Sequence, residues 1–203
     1  MDLWNIERDL LVEGYDVICG IDEAGRGPLA GPVFAAAVIL PLGIEIHGLN
    51  DSKKLSEATR NRLYSEITSK ALAYGIGFAD HKEVDEINIL KATFLAMRRA
   101  VEMLKIQPDI ALVDGNRDPG LRIKSRCIVG GDGKTASIAA ASILAKVSRD
   151  ALMVQMAEKY PQYGFEKHKG YGTKMHYERL REHGPSEIHR KTFLKSGKWK
   201  VEN

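Results

Sequence analysis

Val17-Ile-Cys-Gly-Ile-Asp22 and the segment behind it, Glu23-Ala-Gly-Arg-Gly-Pro28, decide how this chain is read. The first is a short apolar run closing on a carboxylate, which predicts a strand. The second holds three chain breakers and predicts a turn. Working outward, Val33–Leu40 (VFAAAVIL) is continuously apolar, sits between Pro32 and Pro41, and is too short for a typical helix. It predicts a strand buried on both faces. Asp109–Asp114 (DIALVD) is a second apolar run ending in aspartate, and Ala73–Ala79 and Arg126–Val129 predict two further strands, the former weakened by its glycines.

Residues 2–13 have helical spacing in Leu3, Ile6, Leu10 and Leu11, and Glu57–Lys70 also reads as a helix. Leu90, Phe94, Met97, Val101 and Leu104 alternate steps of four and three, the pattern of an amphipathic helix. Ser137–Tyr160 predicts a long, largely buried helix that Pro161 stops. Asp51–Leu55 and Gly164–Gly172 read as loops, and Met175–Glu182 and Glu187–Leu194 as short helices. Strands run together first and helix–strand alternation follows, so an α/β mixed sheet flanked by helices is expected. Residues 1–160 are expected to form the body of the domain, and 161–203 a basic, helical extension of it.

The 203 residues, 44% hydrophobic and 28% charged, suit one globular domain and exclude a collagen-like or wholly disordered chain. No uncharged apolar stretch of about 18 residues implies a membrane span. The start lacks a basic, then apolar, leader, so no secretory signal is expected. Cys19 and Cys127 sit in apolar surroundings and read as buried free thiols of a reducing cytoplasm; two cysteines are too few for a zinc site. Charge is uneven. Glu166–Asn203 carries ten Lys/Arg against five Asp/Glu, whereas the rest of the chain has a net charge of −2. An acidic body with a basic tail suits a protein that holds cations in one place and a polyanion in another; a merely solvated tail is the alternative.

Asp22 and Asp114 both close strands ahead of glycine-bearing loops, and in mixed sheets ligands gather outside strand ends. Carboxylates packed at one site raise each other's pKa unless a cation intervenes, and hard divalent ions such as Mg²⁺ take oxygen ligands. Asp132 follows two glycines and precedes a helix; it reads as a further ligand or as a helix-capping acid. Glu23 joins such a site only if the strand ends at Asp22, because strand neighbours face opposite ways. Gly25 and Gly27 allow close backbone approach to a ligand, and Arg26 offers a fork suited to phosphate; a tight turn with a solvated arginine is the plainer alternative. His168, His176 and His183 read as surface or hydrogen-bonded residues.

Gly20-Ile-Asp-Glu-Ala-Gly-Arg-Gly-Pro28, Asn50-Asp-Ser-Lys-Lys-Leu55, Val113-Asp-Gly-Asn116, Ala140-Ala-Ser-Ile-Leu-Ala-Lys146 and His168-Lys-Gly-Tyr171, together with the segment around His183-Gly184 and His189-Arg190, resemble ribonuclease HII in content and order. The resemblance runs from about Val17 to Phe193. The opening is similar to the bacterial form, and the extra N-terminal domain expected of ribonuclease HIII is not anticipated. The resemblance implies a ribonuclease H-like fold with a five-stranded mixed sheet and a C-terminal helical extension. It implies an endonuclease that cleaves the RNA strand of RNA–DNA hybrids and nicks duplex DNA 5′ to embedded single ribonucleotides, in ribonucleotide removal. Its metal-binding catalytic carboxylates fall on Asp22, Glu23, Asp114 and Asp132. The loop that senses the ribose 2′-hydroxyl falls on Gly25, Arg26 and Gly27, phosphate contacts on Lys53 and Lys54, and the residue packing on the following deoxyribose on Tyr171. Gly172 stands where the family often has proline, which predicts a looser loop around Tyr171.

The chemistry so implied is in-line displacement at phosphorus with two Mg²⁺ or Mn²⁺ ions about 4 Å apart, giving 3′-hydroxyl and 5′-phosphate ends. The expected partner is an RNA–DNA hybrid or ribonucleotide-containing duplex, with no membrane and a monomeric enzyme. A junction resolvase on the same fold would keep the carboxylates without the Gly-Arg-Gly loop and Tyr171. A non-catalytic binding module would lack one of the four acids. A phosphate-binding metabolic enzyme would need a Walker or dinucleotide motif, and neither occurs.

Overall fold

Every residue of Val33–Ile39 is buried, as a strand covered on both faces must be. This strand, β2, lies inside a five-stranded sheet in a computed structural model that describes residues 2–49, 52 and 55–195. It pairs antiparallel with β1 (Ile18–Ala24) and with β3 (Ala73–Ala79). β4 (Ile110–Asp114) joins β1 in parallel and β5 (Lys124–Ile128) joins β4 in parallel, so the order is β3-β2-β1-β4-β5. The expected mixed sheet is therefore present.

α1 (Asn5–Val12) and α2 (Glu57–Lys70) form where the sequence places them. α3 (His81–Glu102) covers the sheet face carrying Cys19, Ile21, Ala35 and Ala37. Gly75 and Gly77, which weaken β3 on propensity alone, seat this helix. A Cβ at either would fall 2.1 or 2.4 Å from the carbonyl oxygens of Ala100 and Ala96. α3 begins well before Leu90, because Asp80 and Glu83 form a reciprocal capping box at its start. Asn88, at φ 68°, kinks it, and the Asn88 Oδ1 accepts the amides of Leu90 and Lys91 to restart the helix. Apolar periodicity marked only the portion beyond this kink.

α4 (Ala136–Lys159) changes character along its length. From Ala136 to Ala145 it is buried all round, between the opposite sheet face and α2. Beyond that only Arg149, Met153 and Ala157 are buried, one stripe at helical spacing. That stripe receives the C-terminal segment: Tyr163, α5 (Phe165–His168), α6 (Lys174–His183) and Ile188 pack on it together with Leu29 and Ala30. Residues 187–194 are turns on either side of an isolated bridge from His189 to Ala30, not the short helix that the sequence predicts. Their amides go to distant partners instead: Arg190 N–H to Leu29 O at 2.8 Å, and Lys191 and Thr192 N–H to the Asp85 carboxylate at 2.8 and 2.9 Å. Cys19 is fully buried and burial pushes its thiol up to about 12, but Cys127, on the edge strand, is only partly buried.

Candidate active site

Parallel pairing of β1 with β4 sets Ile21 opposite Val113, so the next residues, Asp22 and Asp114, stand side by side at the sheet end. Asp22 is 4% exposed; its Oδ1 accepts the Glu23 N–H at 2.7 Å, and its carboxyl also bonds Ser142 on α4. Burial first, then the charges of Glu23 and Asp114, hold the Asp22 carboxyl well above the usual carboxylate range. Asp114 Oδ1 accepts the Gly131 N–H at 2.7 Å. That bond brings the short 3₁₀ turn Gly131–Gly133, and with it the buried Asp132, against the end of β4. The cap of α4 is Thr135, whose Oγ1 accepts the Ile138 N–H at 3.2 Å, so Asp132 is not the helix-capping residue.

β1 does not end at Asp22 but continues to Ala24. Glu23 therefore points to the α3 face, on the side of Cys19 and Ile21, and opposite Asp22. There Glu23 and Asp114 line a groove of about 340 Å³ with Arg26, Phe94, Asn116 and Arg117. Arg26 Nη1 reaches Glu23 Oε1 at 3.3 Å. The carboxylates thus wrap the sheet end from both faces. Among the described residues no three acidic, cysteine or histidine side chains close on one point. A larger cavity of about 860 Å³ lies between the start of α3 and the C-terminal segment. It is a seam away from the carboxylates, and Asp85 on its wall is already occupied by Lys191 and Thr192.

The Gly-Arg-Gly turn begins where β1 stops. Gly25 has φ 94°, and a Cβ there would strike Arg149 Nε at 2.0 Å, so no other residue fits. Gly27 is less confined: a Cβ would meet only Tyr171 Cε1, at 3.7 Å. Tyr171 is 40% exposed, and its ring lies beside the Lys146 ammonium (5.6 Å) and the Arg149 guanidinium (5.7 Å). The structure therefore brings Gly25, Arg26, Gly27 and Tyr171 together. Lys53 and Lys54 lie outside the described residues.

The loop bearing Tyr171 is tied down despite Gly172. Tyr171 N–H bonds His168 O at 2.9 Å, Thr173 N–H bonds Tyr171 O at 2.8 Å, and the Tyr177 ring fills the space beside Gly172. A row of histidines completes the fastening, and partner chemistry assigns its protons. Ser186 N–H donates to His189 Nδ1, leaving His189 Nε2–H to donate to His176 Nε2 at 2.9 Å. His176 Nδ1–H then donates to Tyr171 O at 2.9 Å. His168 accepts the Gly170 N–H on Nδ1 and donates from Nε2 to Tyr163 O. All three rings are neutral in this pattern, and burial keeps them so, lowering His176 to about 4 and His189 to about 3. These are hydrogen-bonded structural histidines, as expected of His168 and His176.

Sequence reading assigned no role to Ser142, Lys146, Arg149 or Arg190. Only the motif strings around Lys146 and Arg190 hinted at them, since a buried arginine has no local signature.

The fold is shared with the ribonuclease H2 of Pyrococcus horikoshii, at TM-score 0.74 and 27% identity over 91% of this chain and 97% of that one. It is shared equally with the ribonuclease HII of Archaeoglobus fulgidus, solved as a complex with PCNA, at TM-score 0.71 and 26% identity over 92% and 98%. Sheet order and acidic strand ends together place the chain in the ribonuclease H-like class of hydrolases. The family described as Ribonuclease HII matches residues 19–198. The Ribonuclease HII of Caldicellulosiruptor bescii is 58% identical over 193 residues, 95% of this chain and 94% of the relative. The chain belongs to the ribonuclease HII family.

Proposed function

We propose that this enzyme hydrolyses the RNA strand of RNA–DNA hybrids and nicks duplex DNA 5′ to single embedded ribonucleotides, leaving 3′-hydroxyl and 5′-phosphate ends. The observation that carries the reading is the placement of Asp22 and Asp114 on adjoining strand ends, one turn of chain away from a glycine-flanked loop that touches Tyr171. Asp22, Asp114 and Asp132 would hold divalent cations, Mg²⁺ or Mn²⁺, and Glu23, although β1 runs past Asp22 and turns it to the α3 face, would join them round the sheet end beside Asp114. The fit rests on an all-oxygen donor set and on the buried Asp22 carboxyl, whose charge its acidic neighbours oppose and a cation would favour. When bound, the ions supply an activated water and charge stabilisation at the scissile phosphate.

The chain's own residues orient the substrate. The backbone of Gly25–Gly27 approaches the ribose and reads its 2′-hydroxyl, the feature that distinguishes RNA from DNA at that sugar. Tyr171 packs on the next deoxyribose, where an aromatic face tolerates a bare 2′ carbon and crowds a hydroxyl. Lys53 and Lys54 contact phosphates, as Arg26 does once it leaves Glu23. Residues 161–203 act as a basic substrate-binding extension of the catalytic part, 1–160. The described residues contain no helix long and apolar enough to cross a membrane, the free thiols suit a reducing cytoplasm, and the enzyme is proposed to act as a monomer.

The test is a DNA duplex with one ribonucleotide, incubated with Mg²⁺ or Mn²⁺ beside an all-DNA control. A nick on the 5′ side of the ribonucleotide, absent with EDTA and from the control, is the expected result. Folded protein that leaves the duplex intact with either metal would overturn the proposal.

A further inference from the structure

Arg149 and Arg190 are both fully buried, and among the described residues neither forms an ion pair. They stand near enough for Arg149 to help lower Arg190. Asp85 and Asp150 act on them only from a distance, and two buried like charges with no carboxylate in contact are costly; a fold selected only for stability would fill the space with apolar side chains. Their hydrogen bonds show what holds them there. Arg190 donates to Gly25 O (2.6 Å), Arg26 O (3.0 Å), Pro28 O (2.9 Å) and Gly31 O (2.8 Å). Arg149 donates to Pro32 O (3.0 Å), Ala30 O (3.2 Å) and, on another segment, Lys169 O (3.0 Å). The backbone N–H of Arg190 takes one more carbonyl of this stretch, Leu29 O.

A trans peptide points its C=O and the next N–H in opposite directions. With Gly25 O and Arg26 O drawn to Arg190, the amides of Arg26 and Gly27 are turned away from it. Neither donates to an acceptor among the described residues. Two neighbouring donors facing outward, beside the Tyr171 ring, form a preset site for one hydroxyl oxygen.

We propose that Arg190 and Arg149 are positioning residues of sugar discrimination. Arg190 aims the Arg26 and Gly27 amides by holding the carbonyls behind them, and Arg149 locks that loop to the Tyr171 loop by bonding both. The inference rests on the reading of Gly25–Gly27 as the 2′-hydroxyl sensor. The fork is essential to it: lysine keeps the charge but cannot reach four carbonyls in fixed directions.

The experiment measures affinity in EDTA for a duplex with one ribonucleotide and for the matching all-DNA duplex. Arg190→Lys and Arg149→Lys should each lose ribonucleotide preference by about tenfold to a hundredfold, as misplacement of a reading group does. All-DNA affinity and Mn²⁺ binding to the free protein should stay unchanged. A purely structural role instead lowers every affinity in step with thermal stability and leaves the preference intact; that result overturns the proposal. Gly27→Ala separates the layers, because its Cβ is accommodated in the free protein. If Gly27→Ala loses preference and the arginine variants keep it, the positioning role fails and the sensor stands. If Gly27→Ala keeps preference, the sensor reading itself fails. Should the lysine variants not fold, amide relaxation of the wild-type protein decides. Order parameters of about 0.85 at Arg26 and Gly27 without nucleic acid support a preset loop, and values below about 0.6 overturn it.

Discussion

The carboxylate edge and the arginine pair both bury charge, and they resolve it in opposite ways. At the sheet end, Asp22 sits among Glu23 and Asp114, and like charges raise its pKa. Behind the Gly-Arg-Gly loop, Arg149 and Arg190 also face each other, yet seven backbone carbonyls accept from their guanidiniums. The protein satisfies the cationic pair with its own backbone, whereas the neighbours that act most on the buried Asp22 carboxyl share its charge. The first is architecture, whereas the second fits the proposed cation site.

The difference is best broken at its functional end. Asp114→Asn or Asp22→Asn should reduce cleavage of a ribonucleotide-containing duplex by about a thousandfold or more, roughly 4 kcal/mol of barrier, while duplex binding persists. Single-turnover cleavage and a binding titration check this, and parallel loss of both would contradict a metal-ligand role. Next in size is Arg190→Met, which strands four carbonyls in the interior. It should lower unfolding free energy by about 3 kcal/mol in urea denaturation. A change near zero would mean that water or neighbouring donors replace the guanidinium.

Acid acts on the fastening around Tyr171. His176 and His189 titrate at about 4 and about 3 when folded, below the ordinary histidine value of about 6.5. Between those values the unfolded chain binds more protons than the folded one. Stability contributed by the neutral rings is therefore complete above about pH 6.5 and falls as pH drops toward 4 and 3. His189→Gln should flatten that dependence in denaturation curves taken between pH 7 and 4. The smallest effect has the opposite sign to Arg190→Met. In EDTA, Asp22→Asn should raise stability by about 1 kcal/mol, because it removes like-charge repulsion from a buried position. Mg²⁺ should raise the melting temperature of the wild type more than that of the variant. An unchanged or lower melting temperature in EDTA would show that the acidic edge is not under electrostatic stress.

Much of this was legible in the chain. Apolar runs mark β1, β2 and β4, and Asp22 and Asp114 stand where the apolar runs of β1 and β4 stop. Local codes were legible too where they were sought: the Asp80–Glu83 capping box sat in plain view, but apolar periodicity alone led to Leu90. Glu23 was readable as an acid and not as to its side, since that depends on β1 running through to Ala24.

By itself the sequence determined which segments are strands, where the carboxylates fall along them, and where glycine must stand at the turn. These depend on side-chain patterning within a few residues. Only the tertiary structure decided that 187–194 gives up a helix for bonds to Leu29 and Asp85, and that Arg149 and Arg190 hold the loop from behind. The reason is distance along the chain. Arg190 meets Gly25 across 165 positions, and no local pattern encodes a hydrogen bond that exists only after the sheet, α4 and the C-terminal segment have packed.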